Sequence, residues 1–338
     1  MTRTPQDLPS EEPFDLITMG RVGVDLYPGQ LATSLADVTT FRKMLGGSPT
    51  NVAVAAARLG LRSAVITKVG ADAFGVFVRQ ALDAFGVDSA WVTQHHELRT
   101  PLTFCEIFPP DHFPLLFYRQ PTAPDMTLSV EDLPLTEIAT ARILWTTGTG
   151  LADEPSRTAT LAALQARPAN AITIHDLDFR PSLWPNPAEA GRWGRLALEK
   201  ATIAIGNREE VATVVGDRPA EEAARALLDL GVDLAVVKLG ERGVLAASHH
   251  QTVIVPPTPV KTLNGLGAGD AFGGAFCHGR LAGWPLEQLL GFANAAGALV
   301  ASRLGCADDM PTETEVHRQL SDHAPHARNS GDPAAARM

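Results

Sequence analysis

Asn264-Gly265-Leu266-Gly267-Ala268-Gly269-Asp270 runs directly into Ala271-Phe272-Gly273-Gly274-Ala275-Phe276. The pattern predicts a glycine-rich turn that opens a helix of small residues. A helix start presents unpaired backbone N–H groups and the positive end of the macrodipole. Glycines there let an anion approach, because no Cβ stands in the way. A carboxylate among those amides suits a base that takes a proton from a hydroxyl while the amides hold the charge that develops. That chemistry is phosphoryl transfer. Read alone, the same residues also suit a tight turn with Asp270 as a helix cap. No Gly-Lys-Ser/Thr follows, so the loop is not a Walker P-loop. Its position far towards the C-terminus is also wrong for a dinucleotide fingerprint, which disfavours an NAD-dependent dehydrogenase.

A loop of this kind must be held at the end of a scaffold, and the chain predicts one. Strand candidates are Leu16–Met19, Ser63–Lys68, Ile143–Thr146, Ala171–His175, Ile203–Ile205, Leu234–Lys238 and Val253–Val255. Helix candidates between them are Asn51–Leu59, Gly75–Phe85, Arg157–Ala166, Pro187–Leu198, Ala220–Leu230, Asp270–Leu281 and Leu286–Leu304. This alternation predicts an α/β fold, a mainly parallel sheet with helices on both faces and ligands at the carboxyl ends of the strands. Two β-prone stretches, about 25–45 and 98–120, have no helix between their strands. They predict a small β lid over the active end, with Pro109-Pro110-Asp111-His112-Phe113 as a hairpin turn. An apolar lid face left exposed would favour pairing with a second subunit, hence a homodimer.

The composition narrows the class. The 338 residues are 45% hydrophobic and 20% charged, enough for a large core in an ordinary soluble protein. A formal net charge of -10 argues against nucleic acid or an anionic membrane as partner. Cys105, Cys277 and Cys306 are widely spaced and form no CxxC pair, as expected of reduced thiols in the cytoplasm, without zinc. Residues 1–13 are polar, with no signal-peptide pattern, and are expected to be a flexible extension. No apolar run reaches ~18 residues, so no spanning helix is expected. The folded body is expected over 14–320, with a disordered tail at 321–338.

Several motifs in fixed order make the chain similar to the PfkB-type, ribokinase-like family of carbohydrate kinases, over roughly 14–311. After the first strand comes Gly20-Arg21-Val22-Gly23-Val24-Asp25, followed by Gly46-Gly47-Ser48-Pro49-Thr50-Asn51. The resemblance implies that Asp25 binds sugar hydroxyls, that Gly46 and Gly47 form a hinge, and that Asn51 supplies a substrate amide. Asn207-Arg208-Glu209-Glu210 fits the family's Asn-x-x-Glu, which implies that Asn207 and Glu210 place Mg2+, largely through water. Lys238-Leu239-Gly240-Glu241-Arg242-Gly243 matches the nucleotide-binding turn, with Gly240 and Gly243 bordering ATP, and Asn294 lies on the helix that would border adenine. Gly267, Ala268 and Gly269 would provide the anion-hole amides, with Asp270 as the base. The implied fold is a ribokinase-like three-layer α/β/α sandwich with a β lid. Where many members have Asp-Thr before the last motif, this chain has Asn264-Gly265, which removes a carboxylate from monovalent-cation placement.

Two segments bear on the acceptor. His175-Asp176-Leu177-Asp178-Phe179-Arg180-Pro181-Ser182-Leu183-Trp184 resembles a segment of the sugar-acid and fructose kinase branches, with Asp178 in place of the usual Asn. The lid run Thr103 to Pro114, with Tyr118-Arg119, resembles the branch that phosphorylates the 6-hydroxyl of 5-dehydro-2-deoxy-D-gluconate in myo-inositol catabolism. An acidic substrate would draw Arg42, Lys43, Arg119 and Arg180 inward, with Arg119 and Arg180 the first choices. Kinases for 2-dehydro-3-deoxygluconate or fructose are the alternatives. A non-catalytic nucleotide or sugar sensor is a further one, although a sensor has no need of the base.

Overall fold

The computed structural model of the chain describes residues 12–322. The expectations for the two ends, at 1–11 and 323–338, lie outside the described residues. The helix Glu313–Asp322 carries the body slightly beyond residue 320.

Among the described residues the strands are β1 (Leu16–Met19), β2 (Gly23–Pro28), β3 (Phe41–Gly46), β4 (Ser63–Gly70), β5 (Val92–His95), β6 (Leu102–Cys105), β7 (Leu115–Tyr118), β8 (Ile143–Thr147), β9 (Ile172–Asp176), β10 (Ile203–Asn207), β11 (Leu234–Lys238), β12 (Val244–Ser248) and β13 (Thr252–Val255). Nine of them form one sheet in the order β13-β12-β11-β10-β9-β8-β1-β4-β5. The pairs from β11 through to β5 are parallel, and β12 and β13 add an antiparallel edge. The interior strand β1 is buried at every position, as expected of a parallel strand covered on both faces. Alternate residues feed two cores. Leu16, Ile143, Trp145 and Ile174 pack with the helices Ser48–Arg58, Ala268–Leu281 and Leu286–Ala301. Ile17, Met19 and Leu144 pack with Ser156–Gln165 and Pro187–Leu198 on the other side.

The fold is thus the expected three-layer sandwich, with departures that have local causes. β5 and β12 are not legible in the sequence: β5 is Val-Thr-Gln-His, with one apolar residue, and β12 is Val-Leu-Ala-Ala-Ser, whose alanines favour helix. The first helix begins at Ser48 rather than Asn51, because Pro49 sits in its first turn with φ already set for a helix.

The chain leaves β1 through β4 and β5 on one side of the sheet and returns through β8 on the other. The carboxyl ends of β1 and β8 therefore flank a topological switch point, where open α/β sheets bind ligands. Over that end lies the second sheet, in the order β3-β2-β6-β7. Its register places Asp25, Tyr27, Thr103 and Phe117 on one face, and Leu26, Phe104, Leu116 and Tyr118 on the other.

Candidate active site

The small residues of the Ala268–Leu281 helix decide where Asp270 sits. A Cβ on Gly274 would collide with Ala55 of the Ser48–Arg58 helix, so only glycine allows the two helices to approach this closely. That approach brings the two helix starts together. Ser48 Oγ donates to Asp270 Oδ1 at 2.7 Å, and Asn51 Nδ2 donates to Asp270 Oδ2 at 2.8 Å. Burial pushes the Asp270 carboxyl above its usual range, against these two hydrogen bonds, which favour the ionised form. Both oxygens are thereby oriented, and the carboxylate is set towards basicity.

One cavity lies directly against this carboxylate. Its lining includes Arg21, Asp25, Asn51, Thr103, Phe117 and Arg180, along with Gly47, Ser48, Gly267 and Asp270. Asp25 points into it from the lid strand β2. Burial raises its carboxyl to about 6, opposed by the Arg21 charge and a hydrogen bond from Thr103. Gly46 makes room for it, since a Cβ at that position would overlap the Asp25 carboxylate. Asn51 Oδ1 is buried with no hydrogen-bond partner and belongs to the same wall, so an acceptor waits there for a donor. Deeper in the lining, the Tyr27 hydroxyl and Cys306 Sγ are 2.8 Å apart and share a hydrogen bond. A carboxylate, an amide oxygen and hydroxyls facing an oriented base form a surface for a small polyol.

The other side of Asp270 is cationic. Gly267 caps the helix, and Gly269 lies so near Lys238 that a Cβ on it would be 3.3 Å from Nζ. The Lys238 ammonium therefore stands over the first turn of the helix, where the amide N–H groups and the macrodipole also favour an anion. Nζ is 4.0 Å from Asp176 Oδ2. Burial works against the ammonium, but the charges of Asp176, Glu210, Asp270 and Asp178 outweigh it and hold its pKa above the usual lysine value. Arg180 pairs with Asp178 at 2.9 Å and faces Glu210 at 3.7 Å. Asp178 has φ of 29°, an uncommon conformation for a non-glycine residue. Its buried carboxylate also takes Arg21 Nε at 3.5 Å and Thr149 Oγ1 at 2.9 Å.

Asn207 and Glu210 meet at the start of the helix Arg208–Val215. Asn207 Oδ1 accepts from the Glu210 N–H at 2.9 Å, and Glu210 Oε2 accepts from the Asn207 N–H at 2.7 Å, a reciprocal capping box. The Asn207 oxygen thus caps the helix Arg208–Val215 with one of its two lone pairs. Glu210 Oε1 takes no part in the capping box; it faces Arg180 at 3.7 Å beside the cationic cluster, a place suited to a hydrated Mg2+. No group of three or more His, Cys, Asp or Glu that could hold a metal ion is present among the described residues.

Other expected residues fall elsewhere. Arg119 does not reach the cavity: its guanidinium is buried in an ion pair with Asp125, whose other oxygen accepts from the Val22 N–H at 2.9 Å. Arg42 faces Asp308 at 3.8 Å, and Lys43 lies 4.1 Å over the Phe77 ring. Asn294 donates to the Pro256 carbonyl at 2.9 Å, tying its helix to the segment after β13. Gly240 and Gly243 form the turn between β11 and β12. Asn264 is fully buried and holds the loop itself, donating to Leu304 O at 2.7 Å and accepting from the Leu266 N–H at 3.0 Å. Arg21, Ser48 and Thr103 line the cavity although the sequence did not single them out. Ser48 stands three residues before Asn51 on one helical face, and that spacing was the available signal.

Comparison with known proteins agrees with this geometry. The model of the pfkB family of carbohydrate kinases matches residues 14–313. A 5-dehydro-2-deoxygluconokinase of Clostridium beijerinckii is 36% identical over 317 residues, which span 91% of this chain and 93% of that protein. A fructokinase of Xylella fastidiosa, solved with bound ATP, superposes with a TM-score of 0.81 at 26% identity, covering 92% of this chain and 99% of its own. A Vibrio cholerae fructokinase with fructose, ADP and calcium bound gives 0.78 at 29% identity, covering 90% and 98%.

Proposed function

The chain belongs to the pfkB family of carbohydrate kinases, ATP-dependent enzymes, and from that premise we propose that it phosphorylates the 6-hydroxyl of 5-dehydro-2-deoxy-D-gluconate. The products are 6-phospho-5-dehydro-2-deoxy-D-gluconate and ADP, a step of myo-inositol degradation. The observation that carries this reading is Asp270, oriented by Ser48 and Asn51 between a cavity with polar walls suited to a polyol and a cationic helix start. The 36% identity to an enzyme of that name supports the choice of substrate.

In this mechanism Asp25, Asn51 and Thr103 hold the sugar. Asp270 takes the proton of the primary hydroxyl as its oxygen bonds to the γ-phosphorus of ATP, and the bond from that phosphorus to the β-bridging oxygen breaks. The amides of Gly267, Ala268 and Gly269, with Lys238 and Arg180, stabilise charge on the transferred group. Positioning and electrostatics supply most of the acceleration, as in phosphoryl transfer generally. Mg2+, held through water by Glu210, would neutralise phosphate charge. Gly240, Gly243 and Asn294 are proposed to border the nucleotide, on family resemblance.

Among the described residues no helix is long and apolar enough to cross a membrane, and the three cysteines are free and buried. Reduced thiols support a cytoplasmic location. The outer lid face, with Phe41 packed edge-on against Phe104, Phe104 against Tyr118, and Leu116 exposed, supports a homodimer formed through the lid.

An ADP-release assay with ATP tests the reading, with and without Mg2+, on 5-dehydro-2-deoxy-D-gluconate, 2-dehydro-3-deoxy-D-gluconate and D-fructose. A preference of at least tenfold in kcat/KM for the first substrate is expected. A preference for either of the others overturns the substrate and keeps the kinase.

A further inference from the structure

An acidic sugar needs a cation in the cavity, and the basic residues divide by what already occupies them. Arg42, Lys43 and Arg119 are engaged outside it. Arg180 reaches the cavity with each terminal nitrogen already in contact, one with Asp178 and the other with the Phe179 carbonyl and, at 3.7 Å, Glu210; only its buried Nε has no partner among the described residues. Arg21 is different. It follows β1 at the switch point, its side chain is 12% exposed, and it lines the cavity with Asp25. Its hydrogen bond is from Nε to Asp178, and the two terminal NH2 groups have no hydrogen-bond partner among the described residues. The Phe117 ring of the lid lies 6.0 Å from the guanidinium carbon.

We propose that Arg21 binds the carboxylate of the substrate and so selects sugar acids over neutral sugars. The assignment rests on the sugar-acid reading given above. Asp178 anchors the guanidinium by its inner edge and leaves the outer fork free, and a planar fork matches the two oxygens of a carboxylate. Asp178 also serves Arg180, so one carboxylate is shared by two guanidiniums, while Asp25 and Asp270 act on Arg21 by charge and leave its outer fork without a hydrogen bond. The lid brings Phe117 against the same group, so lid closure and recognition of the acid end act on one residue.

The test compares wild type with Arg21→Gln and Arg21→Lys on 5-dehydro-2-deoxy-D-gluconate and on D-fructose, with folding followed by thermal melting and ATP binding by calorimetry. Loss of a charge-assisted bidentate pair should raise KM for the acid about 100-fold in Arg21→Gln, with kcat within about threefold. Arg21→Lys, which keeps the charge and loses the fork, should fall between and carries the test if the glutamine variant does not fold. Turnover of fructose, where measurable, should change by less than about threefold. A variant that is folded and keeps the wild-type KM for the acid, or that loses both substrates equally, overturns the assignment. A wild-type enzyme that prefers fructose overturns the function reading itself, and the assignment with it, before any variant is made.

Discussion

The side-chain amide of Asn51 donates to the Asp270 carboxylate at 2.8 Å across 219 residues of sequence. This contact joins the starts of two helices that lie far apart in the chain, and Ser48 adds a second from the same turn at 2.7 Å. A carboxylate held at both oxygens has its direction fixed before any substrate enters.

If Asp270 is the base, Asp270→Asn should fold and bind ATP as wild type does, and should lose about 10²–10⁴-fold in kcat. Steady-state kinetics with calorimetric ATP binding decides this. Near-normal turnover would remove Asp270 from the chemistry.

Burial raises the Asp25 carboxyl to about 6, so its protonation lies within an accessible pH range. The ionised form accepts sugar hydroxyls, and kcat/KM for the sugar should therefore fall as pH drops below about 6. The stability effect has the opposite sense. Between the ordinary aspartate value near 3.8 and about 6 the folded state binds the extra proton, so stability declines as pH rises through that window. Asp25→Asn should remove this decline and raise KM. Melting curves from pH 4 to 8 on both proteins test it, and an unchanged slope in the variant would exclude Asp25 as its source.

Arg119→Gln leaves Asp125 buried without its ion pair, and removing one partner of such a pair costs about 3–5 kcal/mol. Denaturant unfolding should show that loss, while KM for the sugar acid stays within about threefold. A large KM effect with unchanged stability would return Arg119 to the substrate.

Dimerisation through the lid predicts that Leu116→Lys combined with Tyr118→Glu halves the mass measured by light scattering. A wild-type mass of a single chain would refute the dimer, and an unchanged mass in the variant would move the interface off this face.

The sequence carried the layered fold and the Gly267–Asp270 loop well, because both depend on local pattern: apolar runs alternating with helical periods, and glycines before a carboxylate. It also carried Asp25 and Asn51, through motifs whose order is as telling as their residues. What it hid depends on pairing across the chain. Arg119 looks free until Asp125 is seen to face it inside the fold. Arg21 carries no signal of its own in the sequence and gains a place only because β1 ends at the switch point. The Asn-x-x-Glu motif also closes a capping box between its asparagine and its glutamate, a pairing that the motif alone does not display. β12 lacks the β-branched residues that mark a strand, and its edge pairing with β11 overrides the helical preference of its alanines.

The most direct test of the central claim is phosphorus NMR of the product formed from ATP and 5-dehydro-2-deoxy-D-gluconate. The account predicts a phosphomonoester signal coupled to the two protons of a CH2 group, which marks phosphate on the primary 6-hydroxyl, and its absence with Asp270→Asn. An ester on a secondary hydroxyl, or inorganic phosphate alone, would contradict it.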